Sequence, residues 1–137
     1  MCPLTIRARD ALEREVVLID ASESVANAAK MMLDKKVWSL VVTKAGLPVG
    51  FVSERDLIRQ CFGKGLNAEY TKLEDVMSSP LVTAEPDTPL VQILTLMVSK
   101  DIRRVYIVEK GQIIGRITQT GAFNEIIKLM MTLSGIL

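Results

Sequence analysis

Apolar residues recur with helical spacing in two stretches of the chain that lie 65 positions apart. Both stretches show the i, i+3, i+4, i+7, i+8 pattern of an amphipathic helix, which predicts helices over about residues 23–36 and 88–101. The paired positions are Val25 with Leu90, Ala28 with Ile93, Ala29 with Leu94, Met32 with Met97 and Leu33 with Val98. We expect Ser22 and Asp87 to be the N-caps, because their side chains can accept hydrogen bonds from the first helical amides.

Runs of β-branched residues around short turns follow each predicted helix and predict a hairpin in each copy. The predicted strand pairs are 38–43 with 49–52 and 103–108 with 113–117. A short strand over 16–19 precedes the first helix, and further helices over about 54–62 and 119–133 follow the hairpins. The order of elements is therefore β-α-β-β-α, written twice.

The two copies align without a gap, since residues 20–59 reappear 65 positions later. Gly46, Gly50 and Ser53 fall on Gly111, Gly115 and Thr118. A repeat of this length is a supersecondary unit that needs a partner to bury its apolar face. At 137 residues the chain is about one domain long. The expected fold class is α/β (α+β), with two pseudo-symmetric β-α-β-β-α repeats packed as one globule.

The expected boundaries are 10–66 for the first repeat, 67–80 for a linker, and 81–133 for the second repeat with its C-terminal helix. The linker contains a capping-box pattern at Thr71-x-x-Glu74, which predicts a short helical turn there. The apolar C-terminal helix has two open roles, as a cover for the core or as a dimer seam.

Composition narrows the classes of function. Apolar residues are 49% of the chain and charged residues 24%, the net charge is +1, and aromatics are only 4%, so we expect no nucleic-acid surface. No apolar stretch is long enough for a membrane helix, which favours a cytoplasmic protein. Cys2 and Cys61 have no metal-ligand spacing and the chain has no histidine, so we expect free thiols and no metal site.

The segment from Gly50 to Asp56 leads from a predicted strand into a helix and has two interpretations. In one, Ser53 and Asp56 form a capping box, in which the hydroxyl accepts from the third amide and the carboxylate accepts from the amide of the cap. In the other, Ser53 and the free amides of the helix bind a phosphate. The Asp56 carboxylate then accepts hydrogen bonds from the two hydroxyls of a ribose.

The ordered set of motifs resembles a tandem cystathionine-β-synthase (CBS) domain pair, also called a Bateman module. The resemblance covers about residues 10–130 and rests on Gly-x-x-Ser-x-x-Asp at the end of the first hairpin, Asp-Val-Met-Ser-Ser-Pro before the second copy and the strand Arg-Arg-Val-Tyr-Ile-Val. It implies a regulatory module that binds an adenosine nucleotide in a cleft between its repeats, with AMP preferred over ADP, ATP or another adenosine derivative. It implies no catalysis and no catalytic cofactor.

The resemblance also implies roles for individual residues of the first repeat. Ser53 would meet phosphate or ribose, Asp56 would take the ribose diol, and the backbone near Val17 would flank adenine. Arg55, between the two motif residues, and Ser39, on the first hairpin strand, are assigned to the same ligand site.

Basic residues on the second repeat's first hairpin strand are the expected phosphate contacts. Arg103 and Arg104 are adjacent, and neighbouring strand residues point to opposite faces, so we expect only one of them to face the ligand. Family position favours Arg104. Without the resemblance, both arginines are read as solvated surface charges.

The second copy departs from the motif, because Gly121 stands where the first copy has Asp56. A glycine cannot hold a ribose, so we expect the second cleft to be empty, weaker or used by a ligand without a diol contact. Thr118 and Arg116 remain there as groups that attract an anion. The sequence thus predicts one good site per chain.

Two hypotheses from different classes follow. The first is an adenosine-nucleotide sensor that regulates an unidentified partner protein, and the alternative is a ligand-free dimerisation or docking module. An enzyme is disfavoured, because the sequence offers no histidine base and no activated nucleophile. The resemblance further implies a homodimer that forms a four-repeat disc.

Overall fold

A computed structural model describes residues 5–135, and these residues form two compact units of similar build. The first-repeat unit contains residues 17–81. The second-repeat unit contains residues 82–135 together with residues 5–16 from the start of the chain. The chain therefore passes between the units twice.

The first-repeat unit holds one three-stranded mixed sheet with two α-helices. Its elements are β1 (Leu18–Asp20), α1 (Val25–Lys35), β2 (Ser39–Lys44), β3 (Leu47–Ser53) and α2 (Glu54–Gln60), followed by 3₁₀ turns at Phe62–Lys64 and Leu73–Asp75. The strand order is β1-β2-β3, with β1 parallel and β3 antiparallel to β2. The hairpin end leads directly into α2.

The second-repeat unit repeats this arrangement. Its elements are a 3₁₀ turn at Ala8–Asp10, then β4 (Thr83–Ala84), α3 (Leu90–Lys100), β5 (Arg104–Glu109), β6 (Gln112–Thr118) and α4 (Gln119–Leu133). The strand order is β4-β5-β6, with the same parallel and antiparallel pairings. The predicted mixed α/β fold of two β-α-β-β-α repeats is confirmed.

The strand registers of the two hairpins are identical after a 65-residue shift. Ser39 pairs with Ser53 in the first hairpin, and Arg104 pairs with Thr118 in the second. The register also slips at the same place, between Val42 and Thr43 and between Ile107 and Val108. The two hairpins thus share the same backbone arrangement, including the register shift.

Each unit has its own apolar core, and the predicted helical stripes supply much of it. In α1 the buried residues are Val25, Ala28 and Met32, and in α3 they are Leu90, Ile93 and Met97. Both sets pack against buried residues of the adjoining sheet. Burial of each larger side chain contributes roughly 1.5–3 kcal/mol.

The predicted N-cap of α1 was wrong by two residues. Ser24, not Ser22, is the cap, and its Oγ accepts a hydrogen bond from the amide of Asn27 at 3.0 Å. Ser22 instead donates from its amide and its hydroxyl to the carboxylate of Asp20. Ser22 therefore stabilises the turn after β1, while Ser24 caps the helix.

The predicted N-cap of α3 was also wrong. Pro89 occupies the cap and offers no side-chain hydrogen bond. Asp87 pairs instead with Arg9, whose Nε lies 2.9 Å from Oδ1. The amide of Leu90 donates to the carbonyl of Ile6 at 2.8 Å, so backbone from the start of the chain satisfies the first turn.

The predicted capping box at Thr71 and Glu74 does not form. The 3₁₀ turn there begins after Lys72, and no side chain caps it. The hydroxyl of Thr71 donates to the carbonyl of Asn67, and the Thr71 carbonyl accepts from the amide of Val25. The Thr71 carbonyl thus accepts from the first amide of α1, and the Thr71 hydroxyl bonds only four residues back in the chain.

Two short stretches, residues 7–13 and 72–78, are equivalent to each other, and we call them the lead-in segments. Each contains a 3₁₀ turn and precedes its own repeat in sequence, yet residues 7–13 belong to the second-repeat unit and 72–78 to the first. Antiparallel bridges of Arg7 with Pro89 and of Lys72 with Ser24 anchor them. The units are therefore bounded differently from the predicted repeats 10–66 and 81–133, and the predicted linker 67–80 packs within the first-repeat unit.

Two sequence expectations concern single residues and membrane spans. Cys61 is a buried free thiol, whereas Cys2 lies outside the described residues. Within residues 5–135, no helix has the length and apolarity needed to cross a membrane.

Candidate functional site

Ser53 and Asp56 form the capping box that their spacing predicts. Ser53 is the N-cap of α2, and its Oγ accepts from the amide of Asp56 at 3.3 Å. The Oδ2 atom of Asp56 accepts from the amide of Ser53 at 2.8 Å and from its hydroxyl at 3.0 Å. Ser53 is buried, while Asp56 is half-buried.

A third donor to Asp56 comes from the second lead-in segment. The hydroxyl of Ser78 donates to Oδ1 of Asp56 at 3.0 Å. Backbone hydrogen bonds in both directions between Phe51 and Ser78, at 2.8 and 2.9 Å, place that hydroxyl. The Asp56 carboxylate is thus held at both oxygens, and its bonding capacity exceeds the three donors present.

Gly50 allows the second lead-in segment to lie close against β3. A Cβ at residue 50 would lie 2.5 Å from the carbonyl oxygen of Ser78. The equivalent Gly115 would place a Cβ 2.5 Å from the carbonyl oxygen of Glu13. Both glycines are needed because a backbone segment passes directly over them.

The remaining predicted residues of the first repeat lie in the same unit as Ser53. The Val17 carbonyl, just before β1, accepts from the amide of Val41 at 2.8 Å. Ser39 is buried at the start of β2, opposite Ser53, whereas Arg55 is exposed on α2. Their ligand roles stay predictions.

In the second repeat, Thr118 caps α4 as Ser53 caps α2. Its Oγ1 accepts from the amide of Gly121 at 3.0 Å and donates to Oε1 of Glu13 at 2.9 Å. The other Glu13 oxygen, Oε2, lies 3.4 Å from Nε of Arg116. A carboxylate is therefore present beside the second cap, although position 121 is glycine.

Sequence reasoning missed Glu13 because its carboxylate comes from the first lead-in segment. A Cβ on residue 121 would lie 2.9 Å from Oε1 of Glu13, so glycine at this position leaves the space that the carboxylate fills. The signal was present in the repeat itself. If the 65-residue offset is continued backward from residue 20, Glu13 falls on Ser78.

The two predicted phosphate contacts differ in their surroundings. Arg103 is exposed just before β5, and its carbonyl accepts from the amide of Gln119 at 3.0 Å. Arg104 is half-buried in β5, opposite Thr118. Neither arginine forms an ion pair with another residue in the range 5–135. A phosphate contact by Arg104 stays a prediction.

Residues 5–135 contain no cluster of three or more histidine, cysteine, aspartate or glutamate side chains that could hold an ion.

The fold and these side chains define a protein class with a duplicated α/β unit and, in each copy, a helix-capping hydroxyl bonded to a carboxylate. Comparison with known families agrees with this class. Residues 8–63 and 73–130 match the family model of the CBS domain. The chain belongs to the CBS domain family and carries two copies of the domain.

Similar sequences and structures support the same assignment. An uncharacterized protein of Methanopyrus kandleri is 31% identical over 116 residues, which are 83% of this chain and 59% of that protein. A crystal structure of an uncharacterized conserved protein from Pyrococcus horikoshii is 29% identical with a TM-score of 0.80, covering 90% of this chain and 93% of the other. The chain spans somewhat over half the length of the Methanopyrus relative.

A second solved structure resembles the fold and contains bound ligands. It is the CBS domain pair of protein MJ0100 in complex with 5′-methylthioadenosine and S-adenosyl-L-methionine. Its TM-score is 0.77 at 18% identity, and the match covers 90% of this chain and 98% of the other.

Proposed function

We propose that this chain is a regulatory module that binds an adenosine derivative, with AMP as the first candidate ahead of ADP and ATP. The observation that carries the proposal is the Asp56 carboxylate. Three donors, the Ser53 amide and hydroxyl and the Ser78 hydroxyl, hold it within 3.0 Å while it remains partly open to solvent.

A carboxylate held in this way suits a ribose diol. Charge-assisted hydrogen bonds are shorter and stronger than neutral ones, and each contributes roughly 1.5–3 kcal/mol. Because Ser53 and Ser78 already fix the orientation of Asp56, less side-chain freedom is lost when the ligand binds. The capping box and the ligand role are therefore compatible, since the same bonds that cap α2 orient the carboxylate.

Two further observations support an adenosine derivative and a regulatory role. The similarly folded CBS pair of protein MJ0100 holds 5′-methylthioadenosine and S-adenosyl-L-methionine, both of which carry an adenosine. The sequence contains no histidine to act as a general base, which favours sensing over catalysis. Regulation would follow if the ligand binds one conformation of the chain more tightly than another.

Calorimetric titration with AMP, ADP, ATP and S-adenosylmethionine tests the proposal. Asp56→Asn removes the charge of the acceptor and should weaken binding by roughly 2–4 kcal/mol, or about 30- to 1000-fold. Asp34→Asn, at an exposed carboxylate near the end of α1, is the matched control and should bind as the wild type does. Normal binding by Asp56→Asn would show that the site is wrong, and no binding of any ligand below millimolar concentration would refute the function.

A second candidate function, dimerisation or docking, is favoured by an apolar groove of about 190 Å³ in the first-repeat unit. We call it the α1–α2 groove. Its exposed side chains are Leu33, Trp38, Ile58 and Phe62, which are each 56–70% accessible. Exposed apolar surface of this kind marks an interaction site. We propose that a second copy of the chain covers it, in a homodimer that also binds the ligand.

A further inference from the structure

The two repeats hold equivalent carboxylates that come from different places in the sequence. In the first repeat, the cap hydroxyl of Ser53 donates to Asp56 at 3.0 Å. In the second, the cap hydroxyl of Thr118 donates to Glu13 at 2.9 Å. Each capping hydroxyl thus meets one carboxylate at the same distance within 0.1 Å.

The carboxylate lies on the helix in the first repeat and on the lead-in segment in the second. In the first repeat the carboxylate is on the helix, at Asp56, and the lead-in segment contributes the hydroxyl of Ser78. In the second repeat the lead-in segment contributes the carboxylate of Glu13, and the helix position is Gly121. The absent Cβ makes this possible, since it would lie 2.9 Å from Oε1 of Glu13.

The Glu13 carboxylate retains capacity for a ligand. Thr118 donates to one of its oxygens and Arg116 pairs with the other, and its side chain is 41% exposed. A carboxylate has about four lone-pair positions, and its exposed part can accept from hydroxyls of a ligand. The backbone of Glu13 is fixed by hydrogen bonds in both directions with Arg116, each 2.9 Å long.

We infer that Glu13 is the ligand-binding carboxylate of the second repeat, in the role that Asp56 has in the first. Each chain then binds two adenosine derivatives through their ribose diols, in place of the single site expected from Gly121. This inference rests on the proposed function of Asp56, and it adds both a residue and a second equivalent of ligand.

The binding stoichiometry of AMP tests the inference, with 5′-methylthioadenosine as a second probe that has the diol but no phosphate. The wild type should bind two equivalents per chain, while Glu13→Ser and Asp56→Asn should each bind one, because the affinity of the altered site falls at least about 30-fold. The double variant should bind none. Glu15→Ser, at an exposed residue just after the first lead-in segment, is the matched control and should bind two.

A rescue variant separates the ligand role from folding. Glu13→Ser combined with Gly121→Asp places in the second repeat the serine and aspartate that the first repeat has at positions 78 and 56. This combination should restore the second equivalent that Glu13→Ser alone loses. Thermal unfolding of each variant identifies any that fail to fold. If Glu13→Ser is unstable, the stoichiometry of the rescue variant decides the test.

The outcomes distinguish the inference from the function on which it rests. One equivalent bound by the wild type, and none by Asp56→Asn, would overturn the role of Glu13 and leave the Asp56 site intact. Two equivalents bound by Glu13→Ser would overturn it as well. Absence of binding by the wild type would refute the proposed function, and the inference with it.

Discussion

Gly50 lies directly beneath the backbone of Ser78, and this contact restricts what residue 50 can be. A Cβ there would be 2.5 Å from a carbonyl oxygen, which is backbone and cannot rotate away. The same segment presents the Ser78 hydroxyl to Asp56. A change at Gly50 therefore reaches the site through the position of the second lead-in segment.

Gly50→Ala should lower the free energy of unfolding by about 1–3 kcal/mol, the usual cost of forcing a methyl group into packed structure. Gly115→Ala should cost a similar amount, because its Cβ would meet the carbonyl of Glu13 at the same distance. Urea unfolding of both variants measures the effect. An unchanged midpoint for either glycine would contradict the close approach described here.

Among single residues, the sequence predicted the capping box of Ser53 and Asp56, whose ligand role stays a prediction. Ser53 and Asp56 were found because both belong to one local motif whose spacing determines its hydrogen bonds. Glu13 was missed because its partner, Thr118, is 105 residues away in the chain. The sequence showed a glycine at position 121 where the first repeat has Asp56. It did not show that the Glu13 carboxylate lies beside this glycine, because that contact is long-range.

The lead-in segments explain the errors at the level of elements. Strands, hairpins and helices were predicted within a few residues, because the periodicity of apolar positions determines which face is buried. The N-caps of α1 and α3 were not, and in both helices a backbone carbonyl just before a lead-in segment satisfies the first amide. Val25 donates to Thr71 at 2.9 Å, and Leu90 donates to Ile6 at 2.8 Å. A distant carbonyl thereby removes the need for a side-chain cap such as Asp87.

The ion pair of Arg9 with Asp87 links the first lead-in segment to the turn before α3. The hydrogen bond from Arg9, with its positive charge, lowers the pKa of the Asp87 carboxyl below its ordinary value. A carboxyl whose pKa is lowered by folding stabilises the folded state above its unfolded pKa, and this contribution is lost as the pH falls through the folded pKa.

Titration of Asp87 by carbon-detected NMR should therefore show a pKa below that of a free aspartate. Arg9→Gln removes the charge and should raise the pKa of Asp87 toward the ordinary value. In the wild type, the protection factor of amides in the first lead-in segment, for example that of Ala8, should fall at low pH as Asp87 takes up its proton. An ordinary pKa for Asp87 in the wild type would show that the pair does not form in solution.

At the scale of the whole molecule, each unit combines one repeat with the lead-in segment of the other. The sequence revealed the duplication but not this exchange, because the apolar pattern identifies which faces are buried and not which copy buries them. Each unit therefore depends on a lead-in segment that precedes the other repeat in sequence. Removal of residues 5–13 would therefore affect the second repeat, which begins some 70 residues later.

The α1–α2 groove leads to a prediction about assembly. Leu33→Asp places a charge in the groove and should convert the proposed homodimer to a monomer, because burial of an unpaired carboxylate is costly. Light scattering after size exclusion measures the mass. Leu47→Asp, at an equally exposed leucine on the hairpin, should leave the mass unchanged. The same mass for Leu33→Asp and the wild type would rule out this groove as the dimer interface.

Carboxylates beside the capping hydroxyls of α2 and α4 are the proposed binding groups for an adenosine derivative. The most direct measurement is an NMR titration of isotope-labelled protein with AMP, which follows the backbone amides of Ser53, Asp56, Thr118 and Gly121. Saturable shifts are expected at all four amides, with smaller shifts at the α2 pair in Asp56→Asn and at the α4 pair in Glu13→Ser. Saturation with no shift at Ser53 and Asp56 would contradict this proposal.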